Sequence, residues 1–239
     1  MQTHRNQDPI RLARFAGAMY VFIIATGAIG ILTLDRLLVT GDEVRSAANL
    51  LSHQSMVQLA IASSIIGNAV YLAITGIFYV LFRPVSRWLS FAATLFSAVG
   101  CAVGAIAMLF VRAPLLALNG SISHSIGDQA TRSLAYLLTR FYLVAFDTGM
   151  IFFGFYCVVI GWLIARSRFL PRILGLGMAV GGAGYLTFLW PPLAQSLFPF
   201  NGLAGLVGEG ALTVWLLVAG VNAEGWWKQA TLSSNGKKA

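Results

Sequence analysis

Acids are scarce in this chain: eight Asp and Glu among 239 residues, and charged residues of both signs make up only 10%. Soluble domains carry about 25%. With 58% hydrophobic residues and a mean hydropathy of +0.78, one water-soluble core cannot hide so much apolar side chain. Lipid is the alternative solvent. The net charge of +8 comes from 16 Lys and Arg. These bases flank apolar runs instead of forming a basic helix or an aromatic–basic surface, so nucleic acid is not an expected partner.

Cysteine is also rare. Cys101 and Cys157 both fall inside apolar runs, with no CxxC and no Cys/His cluster at metal spacing. A disulfide framework and a metal centre are therefore not indicated, and the two thiols read as small apolar residues. Neither HExxH, a P-loop, a Ser/His/Asp arrangement nor a dinucleotide fingerprint occurs. "GLAGLVGEG" is glycine-rich but belongs to an apolar helix, which argues against a phosphate loop. No catalytic residue and no cofactor is assigned, and the reading leans away from an enzyme.

What is present is six apolar runs, each near the ~20 residues needed to cross ~30 Å of hydrocarbon. They cover about 15–34, 56–82, 88–111, 141–165, 173–190 and 203–222. Backbone polar groups in lipid must be bonded internally, and the alternation of barrel strands is absent, so the runs predict helices. The first run is too long for a signal core and lacks an A-x-A site, so it reads as the first span. The expected architecture is an all-α integral membrane bundle of six helices forming a single domain over 1–239, with 223–239 a short polar tail.

Arginine and lysine bias sets the orientation. Arg5, Arg11, Arg14, Arg83, Arg87, Arg166, Arg168, Arg172, Lys228, Lys237 and Lys238 share one side. Arg36, Arg45, Arg112, Arg132 and Arg140 take the other. Both termini are thus expected to be cytoplasmic, with Trp88, Trp162, Trp226 and Trp227 in the inner belt and Trp190 in the outer. The two long outer connections are expected to hold short helices. "TGDE" at 40–43 reads as a capping box, with Thr40 as N-cap and Glu43 reaching back. Asp128 is placed to cap a segment running into the fourth span. Gly100-x-x-x-Gly104, Gly177-x-x-x-Gly181 and Gly205, Gly208 and Gly210 mark candidate close helix contacts.

Two acids lie inside spans. An ionised group at the bilayer centre costs roughly 2.5–3.5 kcal/mol on insertion scales. Asp147 in the fourth span and Glu209 in the sixth both fall roughly 8–10 Å below the outer boundary. Arg140 lies two turns before Asp147 on the same face, Arg112 ends the third span, His53 begins the second, and Asn68 sits deeper in it. Three readings compete: a structural network of acid with arginine or amide, a ligand or ion pocket open to the outer side, and wetted acids near the interface. Glu209 ranks first because Gly208 and Gly210 leave room beside it. His53 reads more simply as a helix-start residue in interfacial water, and His124 as a solvated loop residue.

"FFGFYCVVIGWLIARSRFLPRILGLGMAVGGAGYL" followed by "GEGALTVWLLVAGVN" resembles the bacterial membrane family catalogued as domain of unknown function 4386. "ARFAGAMYVFIIATGAIG" and "VLFRPVSR" are similar to its earlier signatures. The resemblance spans about 12–222, and Arg166 to Gly175 and Gly208-Glu209 are its more specific parts. It implies a polytopic bacterial inner-membrane protein with no established activity. Many members carry histidine where Tyr156 stands, so a histidine-based role does not transfer here. The functional expectation is a multi-pass protein of the bacterial cytoplasmic membrane. It binds a small ligand or ion in a pocket of Glu209, Asp147, Arg140, Arg112, His53 and Asn68. The alternatives are a non-catalytic membrane partner or sensor subunit with structural acids, and a proton-linked small-solute carrier. Beyond the lipid bilayer, partner and oligomeric state are not legible.

Overall fold

The computed structural model describes residues 8–119 and 127–235, and nearly all of them are helical. The order is α1 (Pro9–Leu37), α2 (Glu43–Ser52), α3 (Gln54–Phe82), α4 (Arg87–Asn119), α5 (Asp128–Arg166), α6 (Arg172–Leu186), α7 (Pro191–Leu197), α8 (Phe200–Val218) and α9 (Ala223–Asn235), with a 3₁₀ turn at Thr187–Leu189. No strand occurs among the described residues. Six helices are long and apolar enough to cross a membrane: α1, α3, α4, α5, α6 with its 3₁₀ extension, and α8. Large apolar side chains such as Val207, Val214 and Val218 are left exposed along α8, as a lipid-facing helix requires.

Several helices outrun the apolar runs that announce them. α4 continues through Pro114 to Asn119. Val111 and Leu115 stay buried in one cluster with Leu34, Leu50 and Val57, and this packing outweighs the lost proline N–H. α5 has 39 residues, about 58 Å at 1.5 Å per residue, and runs unbroken from Asp128. The segment 223–235, expected as a polar tail, is helix α9. His124 lies outside the described residues.

The chain forms two compact units. The first comprises residues 1–21, 71–100 and 150–239, and the second 22–70 and 101–149. In the first, α6 packs on α5 and on α8 through glycine. A Cβ built at Gly175 would stand 2.5 Å from the Gly161 carbonyl oxygen, and one at Gly208 would stand 2.5 Å from that of Gly177. Backbones approach this closely only without side chains between them. Gly210 is different: nothing lies within 4 Å of its Cβ direction. α9 is anchored by Trp226, 1% exposed, whose Nε1 donates to the Leu81 carbonyl at 2.9 Å.

In the second unit, α2 starts two residues later than the capping box predicts. Gly41 takes a φ of +85°, and Asp42 becomes the N-cap, its Oδ1 accepting from Arg45 N at 2.8 Å. Glu43 therefore does not reach back to Thr40. It accepts instead from Gln129 Nε2 at 2.8 Å and Ser133 Oγ at 3.0 Å, tying α2 to the start of α5. Tyr136 Oη accepts from Gly41 N at 2.9 Å and fixes the same turn.

Candidate functional site

Glu209 stands mid-way along α8 and is partly buried. Two neighbouring helices of the first unit reach its carboxylate. Tyr71 Oη, on α3, donates to Oε1 at 2.9 Å, and Cys157 Sγ, on α5, donates to the same oxygen at 3.6 Å. Neither partner is a cation. Arg112 and Arg140, the expected partners of the acids, are exposed and belong to the second unit.

Behind Tyr71 the polar cluster continues. Tyr20 Oη on α1 donates to Tyr71 Oη at 3.4 Å, and Tyr156 Oη on α5 lies 3.4 Å from Tyr20 Oη. A phenol carries one proton. Tyr71 spends its own on Glu209, so it accepts from Tyr20, and Tyr20 in turn accepts from Tyr156. The series Tyr156, Tyr20, Tyr71 is thus directed toward the carboxylate. The 3.4 Å links are long for O–H···O and weak; the 2.9 Å bond to Glu209 is the strong one. The rings support one another edge-on, with centroids 5.7 Å apart for Tyr20–Tyr71, 5.8 Å for Tyr71–Tyr156 and 4.8 Å for Tyr71–Phe153. Tyr20, Tyr71 and Tyr156 are 1%, 6% and 0% exposed. On the same face of α8, Tyr185 of α6 occupies the space a side chain at Gly205 would fill, one turn before Glu209.

Chemically this is a carboxyl held by a phenol and a thiol inside an apolar helix bundle. A hydrogen bond to a charged group contributes roughly 1.5–3 kcal/mol, comparable with the insertion cost of the charge and not clearly larger. The local structure therefore does not neutralise the acid, and the remaining lone pairs of the partly accessible carboxylate are free to take a further partner. Among the described residues no group of three or more His, Cys, Asp or Glu could hold a metal ion.

The other candidates fall in the second unit. Asp147 is partly buried on α5, and among the described residues no hydrogen bond or ion pair reaches its carboxylate. His53 is exposed at the C-terminal end of α2, its Nδ1 2.9 Å from Ser52 Oγ and 3.1 Å from the Asn49 carbonyl. Asn68 is half-buried, its side-chain amide pressed against Gly104, where a Cβ would lie 3.1 Å from Nδ2. Sequence reasoning missed Tyr71, Tyr20, Tyr185 and the role of Cys157. The unusual Tyr at 156, in "FFGFYC", was the one visible signal for the cluster.

The family described as "Domain of unknown function (DUF4386)" matches residues 15–220. The chain belongs to this family. It is also similar to an "Uncharacterized protein" of Archaeoglobus fulgidus, with 29% identity over 143 residues, covering 59% of this chain and 72% of that one. No solved structure matches it. The DUF4386 match includes Tyr20, Tyr71, Tyr156, Cys157 and Glu209, so the whole candidate site lies inside the family's extent. The chain is thus a multi-pass membrane protein of uncharacterised activity, in contact with the bilayer through its apolar helices.

Proposed function

We propose that this DUF4386 protein binds a small ligand or ion at Glu209, and that the occupant carries positive charge: a proton or a small cation. The observation that carries this reading is the carboxylate's environment. Oε1 receives a phenol at 2.9 Å and a thiol at 3.6 Å, neither of which cancels its charge. A positive occupant would remove the cost of an ionised acid in hydrocarbon. The phenols of Tyr71, Tyr20 and Tyr156 supply a polar, π-rich wall of the kind cations favour. This is also what a proton-linked small-solute carrier needs at its core. Asp147, with Arg140, Arg112, His53 and Asn68, is carried as a second polar group whose role rests on depth and chemistry alone. We place the protein in the bacterial cytoplasmic membrane with both termini cytoplasmic, on the distribution of its bases.

The test is infrared difference spectroscopy of the purified protein in lipid, stepping pH and then adding sodium, potassium or tetramethylammonium. A carboxyl band that responds to a step and vanishes in Glu209→Gln supports the site. A band insensitive to every step favours the competing reading, a non-catalytic membrane partner whose acid is structural. The near-complete burial of the three phenols is what keeps that second reading in view.

A further inference from the structure

The first unit also contains an open cleft of about 370 Å³, at the C-terminal end of the helix that carries Glu209 and not used by the proposed site. Its walls include Arg168, Leu170, Pro171, Trp215, Gly220 and Asn222. It lies where α5 and α8 end and α6 and α9 begin. Small-molecule sites occupy roughly 300–1,000 Å³, so a compact headgroup fits this volume. The rim is held by backbone. Asn222 N donates to the Phe169 carbonyl at 3.0 Å, and Arg168 N donates to Gln229 Oε1 at 3.0 Å. Arg168 itself is exposed, and among the described residues its guanidinium has no ion-pair partner.

A second base lies beside the cleft without lining it. Arg14 Nη2 sits 3.5 Å from the Val218 carbonyl, and its stem passes beside Gly220, whose Cβ direction would meet Arg14 Cγ at 3.9 Å. Gly220 has a φ of +68°, and its Cβ direction meets Ile10 Cγ2 at 3.3 Å, so α1 packs against the turn there. The neighbouring acid, Glu224, is already paired with Lys228 at 2.6 Å. The Trp215 indole, 39% exposed, gives the cleft an interfacial aromatic wall. Leu170 and Pro171 add apolar surface at the mouth.

We infer that this cleft is a binding site for a phosphate-bearing anion, with Arg168 on the phosphate, Arg14 adding positive charge beside the cleft, and Trp215, Leu170 and Pro171 on the adjoining apolar part. Basic pockets between membrane helices bind anionic headgroups by this combination of charge and interfacial contact. An anionic phospholipid and a small soluble phosphate ester share that chemistry.

The experiment uses the full chain, delipidated in neutral detergent, with binding read by native mass spectrometry and by melting temperature. The probes are phosphatidylglycerol, phosphatidylcholine and soluble glycerol phosphate. One anionic ligand per chain is expected. Arg168→Gln should weaken it about fivefold, from ~1 kcal/mol per base near a membrane surface. Arg87→Gln, which removes the same charge from an exposed position outside the cleft, should leave binding unchanged. Ala219→Phe, which fills the cleft, should abolish binding. If that variant melts lower without ligand, the Arg168–Arg87 comparison decides alone. Protection by phosphatidylglycerol but not by glycerol phosphate assigns a lipid, and protection by both assigns the phosphate group itself. Equal binding of phosphatidylcholine, or equal weakening by Arg87→Gln and Arg168→Gln, would overturn the inference.

Discussion

Glu209 is flanked by two glycines whose replacement by alanine should have opposite effects. At Gly208 a Cβ would stand 2.5 Å from the Gly177 carbonyl oxygen and 2.9 Å from its carbonyl carbon. Both are backbone atoms of α6, so no rotamer change relieves the clash. The helices must separate by nearly 1 Å to restore ordinary contact, and α6 is already pressed against α5 at Gly175 and Gly161. Overpacking of this kind costs about 1–3 kcal/mol. Alanine's better helix propensity returns up to ~1 kcal/mol. Gly208→Ala should therefore be destabilising by up to about 2 kcal/mol net. At Gly210 the Cβ meets nothing within 4 Å, so Gly210→Ala keeps only the propensity gain. For a chain of this size a kcal/mol corresponds to roughly 2–4 °C in melting temperature. Thermal unfolding in one detergent should thus place the two variants on opposite sides of wild type. If Gly208→Ala melts at or above Gly210→Ala, α6 and α8 are not in backbone contact and the assembly around Glu209 is wrongly described.

Tyr71→Phe removes the short bond to Glu209; it should lower stability by about 1.5–3 kcal/mol, and most of that loss should disappear in a Glu209→Gln background, a coupling that a double-mutant cycle in detergent measures. Trp226→Phe keeps the ring but strands the Leu81 carbonyl, so chemical unfolding should show a loss of about 1–3 kcal/mol, whereas a truly disordered tail would show none. Asp42→Ala removes the cap of α2 and should cost about 0.5–2 kcal/mol, appearing as faster hydrogen exchange confined to that helix and its turn. Lys228, by hydrogen bond and charge, holds Glu224 below the usual glutamate range. A lowered carboxyl contributes stability above its unfolded value and loses it as pH falls through the folded one. The pair is fully exposed, so Lys228→Gln should return Glu224 to the ordinary range by NMR titration without moving the melting temperature at neutral pH.

The spans were legible because hydropathy in lipid is a one-dimensional signal: about twenty apolar residues must become helix or leave the membrane. The contact of α6 with α8 was legible as a candidate from Gly177 and Gly208, whereas that of α6 with α5, at Gly175 and Gly161, was not read. α9 was not legible, since "AEGWWKQATLSSN" is largely polar and is held by tertiary bonds at Trp226 and Gln229, which no local pattern announces. The cap of α2 was misplaced by two residues because Thr40 and Asp42 are both good caps, and the choice is made by the turn at Gly41. For the site, Glu209 stood out as an acid in an apolar run. Its partners did not. Tyr20, Tyr71 and Tyr156 sit on three helices with no fixed spacing between them, and a tyrosine in a membrane helix is ordinary until its neighbour is known. Arginine partners were expected from charge alone, and the structure supplies a phenol and a thiol instead.

The most direct measurement is labelling of the protein in native membranes with a hydrophobic carbodiimide, followed by mass spectrometric mapping. The reagent reaches carboxyl groups through lipid and modifies those that accept a proton. If Glu209 exchanges a positive occupant, it should be modified, excess competing cation should slow the reaction, and Tyr71→Phe should change its rate. If Glu209 stays unmodified at saturating reagent while the protein remains folded, the carboxyl is sealed in a structural network and the binding proposal fails.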